Sequence, residues 1–188
     1  MIKQYSGYEA KKVSTREALP AGGYVCKIMD AKVQDYSWGS VLILAHDVVE
    51  GEYKDHWRKD YAANTNEDKK WRGNLRINLP KDDGSDQDAW TKSAFNNFVW
   101  AVQESNPGYT WNWDESALKG KALGILYRNR EWAMNGNSGW TTEAAGATSV
   151  DDIRSGSFRI PKDKPLANKN STAPVFTPVA NADDDLPF

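Results

Sequence analysis

The sequence contains few of the residues from which metal centres and disulfide frameworks are built. Among its 188 residues there is one cysteine, Cys26, and there are two histidines, His46 and His56. A single cysteine forms no internal disulfide, and these three side chains lack the spacing of zinc ligands. The sequence therefore predicts neither a metal nor another cofactor, and it favours a buried free thiol at Cys26.

Enzyme motifs are missing as well. The chain has no P-loop, no glycine-rich dinucleotide fingerprint, no GxSxG turn and no cysteine–histidine pair at a plausible spacing. Neighbouring carboxylates do occur, for example Asp82 with Asp83 and Asp114 with Glu115. They fall in loops or at apparent element starts, where turn and helix-cap chemistry accounts for them. We therefore expect a protein without enzymatic activity.

No apolar run reaches the length of about 20 residues that a membrane-spanning helix requires. The N-terminal residues also lack the apolar core of a secretory signal. Together with the single cysteine, this predicts a cytoplasmic protein with no membrane partner. The formal net charge is −2, so the chain is not globally basic.

Aromatic residues, in contrast, are abundant: there are nine Trp, eight Tyr and five Phe. This is more flat aromatic surface than a core of this size requires. Positive charge is concentrated locally, with eight basic and four acidic residues from Lys54 to Lys81, and four basic and no acidic residues from Lys119 to Arg130. Aromatic and basic residues occur together in the segments HWRKDY, KKWRGNLR and YRNREW.

This combination is typical of proteins that bind single-stranded nucleic acid. Such proteins need a positive groove for the backbone and exposed rings for the bases, each stacked base contributing about 1–3 kcal/mol. On an extended strand Arg72 and Arg76 share one face, as do Arg128 and Arg130. We predict nucleic-acid contacts from Trp38, Trp57, Arg58, Tyr61, Trp71, Arg72, Arg76, Arg128, Arg130 and Trp132.

Two other interpretations of the aromatic residues stay open. A carbohydrate-binding β-sheet module also exposes Trp and Tyr, although it does not need the neighbouring arginines and lysines. A structural or assembly protein would use its aromatics at an oligomer interface, and a homo-oligomer is compatible with each interpretation. Four tryptophans in or just after the predicted helix are assigned mainly to packing: Trp90, Trp100, Trp111 and Trp113.

Hydrophobic periodicity outlines the main elements. Val25, Met29, Ala31 and Val33 alternate with more polar residues and predict one face of a strand. A second alternation places Leu75, Ile77 and Leu79 on one face, with Arg72, Asn74 and Arg76 on the other. One helix is predicted to start after the cap Ser85, to bury the stripe Trp90–Ala94–Phe98–Val102, and to stop at Asn106-Pro107-Gly108.

Composition divides the chain into four parts. Residues 1–20 are polar and predict a loosely ordered arm, and residues 21–160 form one β-rich domain. Residues 161–182 are rich in Pro, Ala, Asn, Ser and Thr, and they cannot bury enough apolar surface to offset the ordering entropy. We therefore predict a disordered linker there, followed by an acidic tip at 183–188.

The last six residues, DDDLPF, resemble the C-terminal tip of bacterial single-stranded DNA-binding proteins. The body, with a helix between strand groups and the stretch GYTWNWDESALKGKALG, is similar to the single-stranded DNA-binding proteins of bacteriophages and mobile elements. This resemblance implies a mainly β fold with one inserted α-helix: an OB-fold, a five-stranded barrel that holds a single strand across its sheet, here decorated by a long helix.

The resemblance also implies a role and partners. The protein would bind and protect single-stranded DNA during replication or recombination in a bacterial host cell, and its tip would recruit replication, recombination or repair proteins. The ring and α-carboxylate of Phe188 can be recognised together by an apolar pocket with a basic rim. The predicted tip residues are Asp183, Asp184, Asp185, Leu186, Pro187 and Phe188.

Overall fold

The computed structural model describes residues 18–166, together with Lys3 and Ser6. The predicted tip, most of the predicted arm and most of the predicted linker lie outside the described residues. The described part is mainly β and contains one five-stranded antiparallel sheet with helices between and after its strands.

The sheet has the strand order β3-β2-β1-β4-β5, and every neighbouring pair is antiparallel. Strands β1 and β2 form a hairpin whose tip lies in the segment DYSWGS. The strand bounds are β1 Gly22–Tyr36, β2 Gly39–Val48, β3 Asn74–Asn78, β4 Ala122–Met134 and β5 Asn137–Thr148. The helix bounds are α1 His56–Ala63, α2 Asp86–Glu104 and α3 Val150–Ser155, with a 3₁₀ turn at Glu115–Leu118.

Helix α2 is the inserted helix that the sequence predicts, and its start follows from local chemistry. The side chain of Ser85 accepts a hydrogen bond from the backbone N–H of Asp88, which satisfies one of the free donors of the first turn. One inserted helix was predicted, but the structure contains two further helices, α1 and α3. Both are short, at 8 and 6 residues, and neither shows a long apolar stripe.

A β-bulge in β1 changes which residues face the core. The pairing of β1 with β2 shifts register between Ile28 and Asp30, so the strand reverses its two faces at that point. Cys26 and Ile28 are fully buried, and Ala31 packs against the same core cluster. The predicted single face of Val25, Met29, Ala31 and Val33 is therefore wrong before the bulge, where Cys26 and Ile28 face inward instead. Cys26 itself is a buried free cysteine, as predicted.

The core lies between the inner face of the sheet and α2. Leu75 is buried and Ile77 and Leu79 pack against the core cluster, which confirms the predicted apolar face of β3. Strands β3 and β5 are the two edges of the sheet, and their Cα atoms come within 8 Å of each other without forming a ladder. Helix α2 crosses this gap, and the side-chain amide of Asn97 donates to the carbonyl oxygen of Ala147 in β5 at 2.9 Å.

Residues 161–166, assigned to the linker from their composition, run beside β4. The backbone N–H of Glu131 donates to the carbonyl oxygen of Lys164 at 2.9 Å, and the N–H of Lys164 donates to the carbonyl oxygen of Asn129 at 2.8 Å. The pairing of β4 with β1 ends at Tyr127, so this segment covers backbone that β1 leaves open. Within residues 18–166, no helix is long and apolar enough to cross a membrane.

Candidate nucleic-acid interface

Trp57, one of the ten predicted contact residues, lies in the core and is only 6% exposed. Its indole N–H donates to the hydroxyl oxygen of Tyr127 at 3.0 Å, and that hydroxyl lies 2.5 Å from Nε2 of His46. Burial raises the pKa of Tyr127 well above its ordinary value, so the hydroxyl stays protonated. A ring enclosed in this way cannot stack on a base, so Trp57 supports the fold rather than the interface.

The same buried network holds helix α1 in place. Asp47, at the end of β2, is 1% exposed and its carboxylate accepts the backbone N–H of Trp57 at 2.9 Å and of Arg58 at 3.3 Å. These are free donors of the first helical turn, and the negative charge also lies at the favourable end of the helix dipole. Helix α1 is thus fixed to the sheet by a carboxylate at the end of the preceding strand.

Three residues at the tip of the β1–β2 hairpin and on β3 form an exposed aromatic and basic cluster. Trp38 is 54% exposed and stacks on Tyr36, with ring centroids 5.2 Å apart and planes 9° apart. The guanidinium carbon of Arg76 lies 5.6 Å from the centroid of the Tyr36 ring, and its Nη2 donates to the Tyr36 hydroxyl. We name Tyr36, Trp38 and Arg76 the hairpin cluster.

The sheet carries this cluster on its outer face. Arg76 pairs with Ile43 of β2, and Ile43 pairs with Lys32 of β1. Directly paired residues of antiparallel strands point to the same side, so Lys32 and Arg76 lie on one face, opposite the core residues Leu44 and Leu75. Both cations are exposed. Two positive charges and a stacked aromatic pair therefore share one side of the sheet.

A second group lies near the start of β3, away from the tip of the β1–β2 hairpin. Tyr61 is 37% exposed, and Nζ of Lys69 lies 4.6 Å from its ring centroid. Trp71 is half-buried, lies 5.9 Å from Tyr61 between centroids, and donates its indole N–H to the carbonyl oxygens of His46 and Gly73. This group is anchored but keeps part of its aromatic surface in solvent.

Two arginines beside this second group have acidic partners. Arg72 lies 4.0 Å from Asp60, and Arg58 lies 3.5 Å from Asp55. Their side chains are 45% and 62% exposed, so these surface ion pairs are weak and can exchange for other anions.

The predicted basic face of β4 has a carboxylate partner, which offsets one of its positive charges. Arg128, Arg130 and Trp132 do lie on one side of the strand, but Glu143 of β5 is directly opposite Arg128. Oε1 of Glu143 accepts from Nε and Nη2 of Arg128 at 3.0 and 2.7 Å, and Oε2 lies 3.5 Å from Nη1 of Arg130. Nζ of Lys164 lies 3.8 Å from the same carboxylate. The Glu143 carboxylate therefore interacts with three cations, Arg128, Arg130 and Lys164.

Trp132 lies over the strand opposite. A Cβ added at Gly139 would come within 3.3 Å of the Trp132 indole nitrogen, which shows how closely the ring lies on that residue. Its half-buried ring is therefore held against the β4–β5 hairpin rather than extended into solvent.

The assignment of four tryptophans to packing is right for one and wrong for three. Trp111 is buried at 8% exposure, but Trp90, Trp100 and Trp113 are 76%, 46% and 70% exposed. Of the predicted stripe, Phe98 and Val102 are buried, whereas Trp90 and Ala94 are exposed, and the neighbouring Phe95 is buried as well. Tyr36 was missed entirely, although its position two residues before Trp38 in a hairpin was a usable signal.

Within the described range no three His, Cys, Asp or Glu side chains converge in a way that could hold a metal ion. The arrangement on the outer face offers stacking surfaces and positive charge, which are the features that bind an unpaired strand. In comparisons with known proteins, no protein-family model matches this chain and no curated protein shows significant similarity to it.

Proposed function

We propose that the protein binds single-stranded DNA without sequence preference and without catalysing a reaction. The observation that carries this proposal is the hairpin cluster, in which an exposed Trp38 stacks on Tyr36 beside Arg76. An exposed stacked pair presents a flat surface to a base, and a neighbouring guanidinium can contact the phosphate that follows it. Lys32 on the same face adds a second cation for the backbone.

Charge favours a nucleic acid over a carbohydrate as the ligand of this surface. A sugar ring can also stack on Trp38, but a neutral sugar gains nothing from the cations beside it. A nucleic-acid strand carries one phosphate for each base, so alternating rings and cations match its repeat. The group of Tyr61, Lys69 and Trp71 at the other end of β3 repeats the pattern and would extend the same surface.

The OB-fold belongs to the same proposal. Its supports are the antiparallel strand order β3-β2-β1-β4-β5, the close approach of the two edge strands, and the position of α2 between β3 and β4. An OB-fold barrel binds oligonucleotides across the face that includes strands β2 and β3, where the hairpin cluster lies.

The biological role proposed with it is protection of exposed strands during replication or recombination in a bacterial host, in a protein of phage or mobile-element type. The acidic tip at 183–188 would dock replication, recombination or repair proteins, with its charge raising the rate of encounter with basic surfaces. The motivating observation is the residue pattern DDDLPF, which combines a charge run with two apolar side chains.

The test is an anisotropy titration of labelled oligo-dT with the full chain and two variants, Trp38→Ala and Arg76→Ala. Loss of one base stack is worth about 1–3 kcal/mol, so Trp38→Ala should weaken binding about 5- to 150-fold. Arg76→Ala should weaken binding and lower the slope of log affinity against log salt by about 0.7, the contribution of one phosphate contact to a single strand.

Matched controls lie outside the hairpin cluster. Trp100→Ala removes another exposed tryptophan, and Arg154→Ala removes an arginine that pairs with Glu50 at 2.6 Å. Both should bind oligo-dT like the unmodified chain. The proposal is refuted if oligo-dT does not bind, or if Trp38→Ala and Arg76→Ala bind oligo-dT as tightly as the two control variants. Tighter binding of an oligosaccharide in the same assay would favour the carbohydrate interpretation.

A further inference from the structure

A groove runs along helix α2 beside the hairpin cluster. Two clefts form it: one of about 290 Å³ next to the hairpin tip, and one of about 480 Å³ where the edge strands β3 and β5 do not pair. Both are lined by Asn78, Gln87 and Thr91, so they adjoin and make one continuous depression. The groove therefore leads from the hairpin tip across the gap in the sheet.

The groove shares residues with the proposed interface. Trp38 lines the cleft at the hairpin tip, and Arg76 lines the cleft at the gap. A single-stranded nucleic acid that contacts Trp38 and Arg76 therefore already touches both clefts of the groove. No conformational change is needed to continue from the outer face into it.

Trp90 stands on the wall of this groove and is 76% exposed. It lies in the first two turns of α2, between the buried residues Asp88 and Phe95. Because most of the Trp90 side chain lies in solvent at the wall of a cleft, its ring is available to stack on a ligand. The flat ring is the size and chemistry of a stacking platform.

The clefts also offer hydrogen-bonding partners for base edges, with Lys81 as a cation at the hairpin end. Asn78 and Gln87 supply amide donors and acceptors, and Thr91 supplies a hydroxyl that already donates to the carbonyl oxygen of Gln87 at 2.9 Å. Asp83 at the hairpin end would repel a phosphate, but it accepts from the N–H and hydroxyl of Ser85 and is held at the helix start.

We propose that the groove between β3 and α2 receives the bases of the bound strand, with Trp90 stacking on one of them. This inference rests on the proposed function and adds to it the path of the strand, from the hairpin cluster along α2 toward β5. The ligand class is an unpaired nucleobase with its sugar, because a base within a duplex has neither a free face to stack on Trp90 nor a free Watson–Crick edge to enter the groove.

The experiment compares Trp90→Ala, Trp90→Phe and Trp100→Ala by anisotropy with labelled oligo-dT of increasing length. Trp100 is the matched control, because it is exposed on the same helix but lines neither cleft. With long oligonucleotides Trp90→Ala should bind about 5- to 150-fold more weakly, Trp90→Phe should recover most of the loss, and Trp100→Ala should stay within about twofold.

Oligonucleotide length separates the groove from the rest of the interface. With oligonucleotides that only cover the hairpin cluster, the difference between Trp90→Ala and the unmodified chain should disappear, while Trp38→Ala should still bind weakly. If Trp90→Ala matches Trp100→Ala at every length while Trp38→Ala is weakened, the groove inference fails and the proposed function stands. If no oligonucleotide binds the unmodified chain, both fail.

Discussion

The buried histidine of the core leads to a prediction about acid stability. Nδ1 of His46 lies 3.3 Å from the carbonyl oxygen of Leu44, which can only accept, so the proton is assigned to Nδ1. Nε2 therefore accepts from the hydroxyl of Tyr127 at 2.5 Å, and that oxygen accepts from the indole of Trp57 at 3.0 Å. The hydroxyl proton of Tyr127 has its acceptor, Nε2 of His46, only while the imidazole is neutral.

The magnitude follows from the pKa of His46, which burial lowers from 6.5 to about 4. As the pH falls below 6.5, the unfolded chain takes up a proton on this residue while the folded chain does not. The unfolded state then binds more protons, so the free energy of unfolding falls as the pH is lowered through this window. A difference of about 2.5 pKa units corresponds to about 3 kcal/mol.

The measurement is urea unfolding followed by tryptophan fluorescence at several pH values between 7 and 4, for the unmodified chain and for His46→Gln. The variant keeps every carboxylate and His56 but lacks the His46 imidazole, so it controls for the acids that also start to titrate near pH 4. From pH 7 to pH 4 the unmodified chain should lose about 3 kcal/mol more than the variant. Equal losses in both proteins would show that His46 is not held neutral by the core.

Two further predictions concern a glycine and a carboxylate. Gly73→Ala should destabilise the chain by about 1–3 kcal/mol in the same urea assay, because its Cβ would lie 2.5 Å from the carbonyl oxygen of His46 and from the Trp57 ring. The control Gly146→Ala should be tolerated, because its Cβ would lie 3.9 Å from its nearest neighbour. Glu143→Gln should strengthen binding to oligo-dT and steepen its salt dependence, since it frees three cations for phosphates; unchanged binding would exclude the β4 face from the interface.

Features set by neighbouring residues could be predicted from the sequence. Helix α2 begins after Ser85 because that hydroxyl caps Asp88, three residues later. It stops before Pro107, where the side-chain amide of Asn106 donates to the carbonyl oxygens of Val102 and Ala122. The apolar face of β3 was also predictable, since alternation on a short strand without a bulge places its side chains correctly.

Features set by distant residues could not be predicted. The bulge in β1 depends on its pairing with β2, and nothing in the β1 segment itself indicates that Met29 is the extra residue. Likewise, Trp57 and Trp71 occur in similar segments rich in Lys and Arg. Trp57 is buried because Tyr127, 70 residues away, receives its N–H, while Trp90 is exposed because the helix buries Phe95 and Phe98 instead.

The distinction between a basic segment and a basic surface decides where the strand binds. The segment YRNREW is as rich in cations as KKWRGNLR, yet its arginines face a carboxylate on the opposite strand, thirteen to fifteen residues further along the chain. Arg76 is exposed as well, but its described contact is with the uncharged ring of Tyr36. Among the described residues no carboxylate pairs with Arg76, whereas at Arg128 a phosphate must compete with two hydrogen bonds to Glu143. Binding should therefore begin at the hairpin cluster and reach β4 only once the strand is long enough.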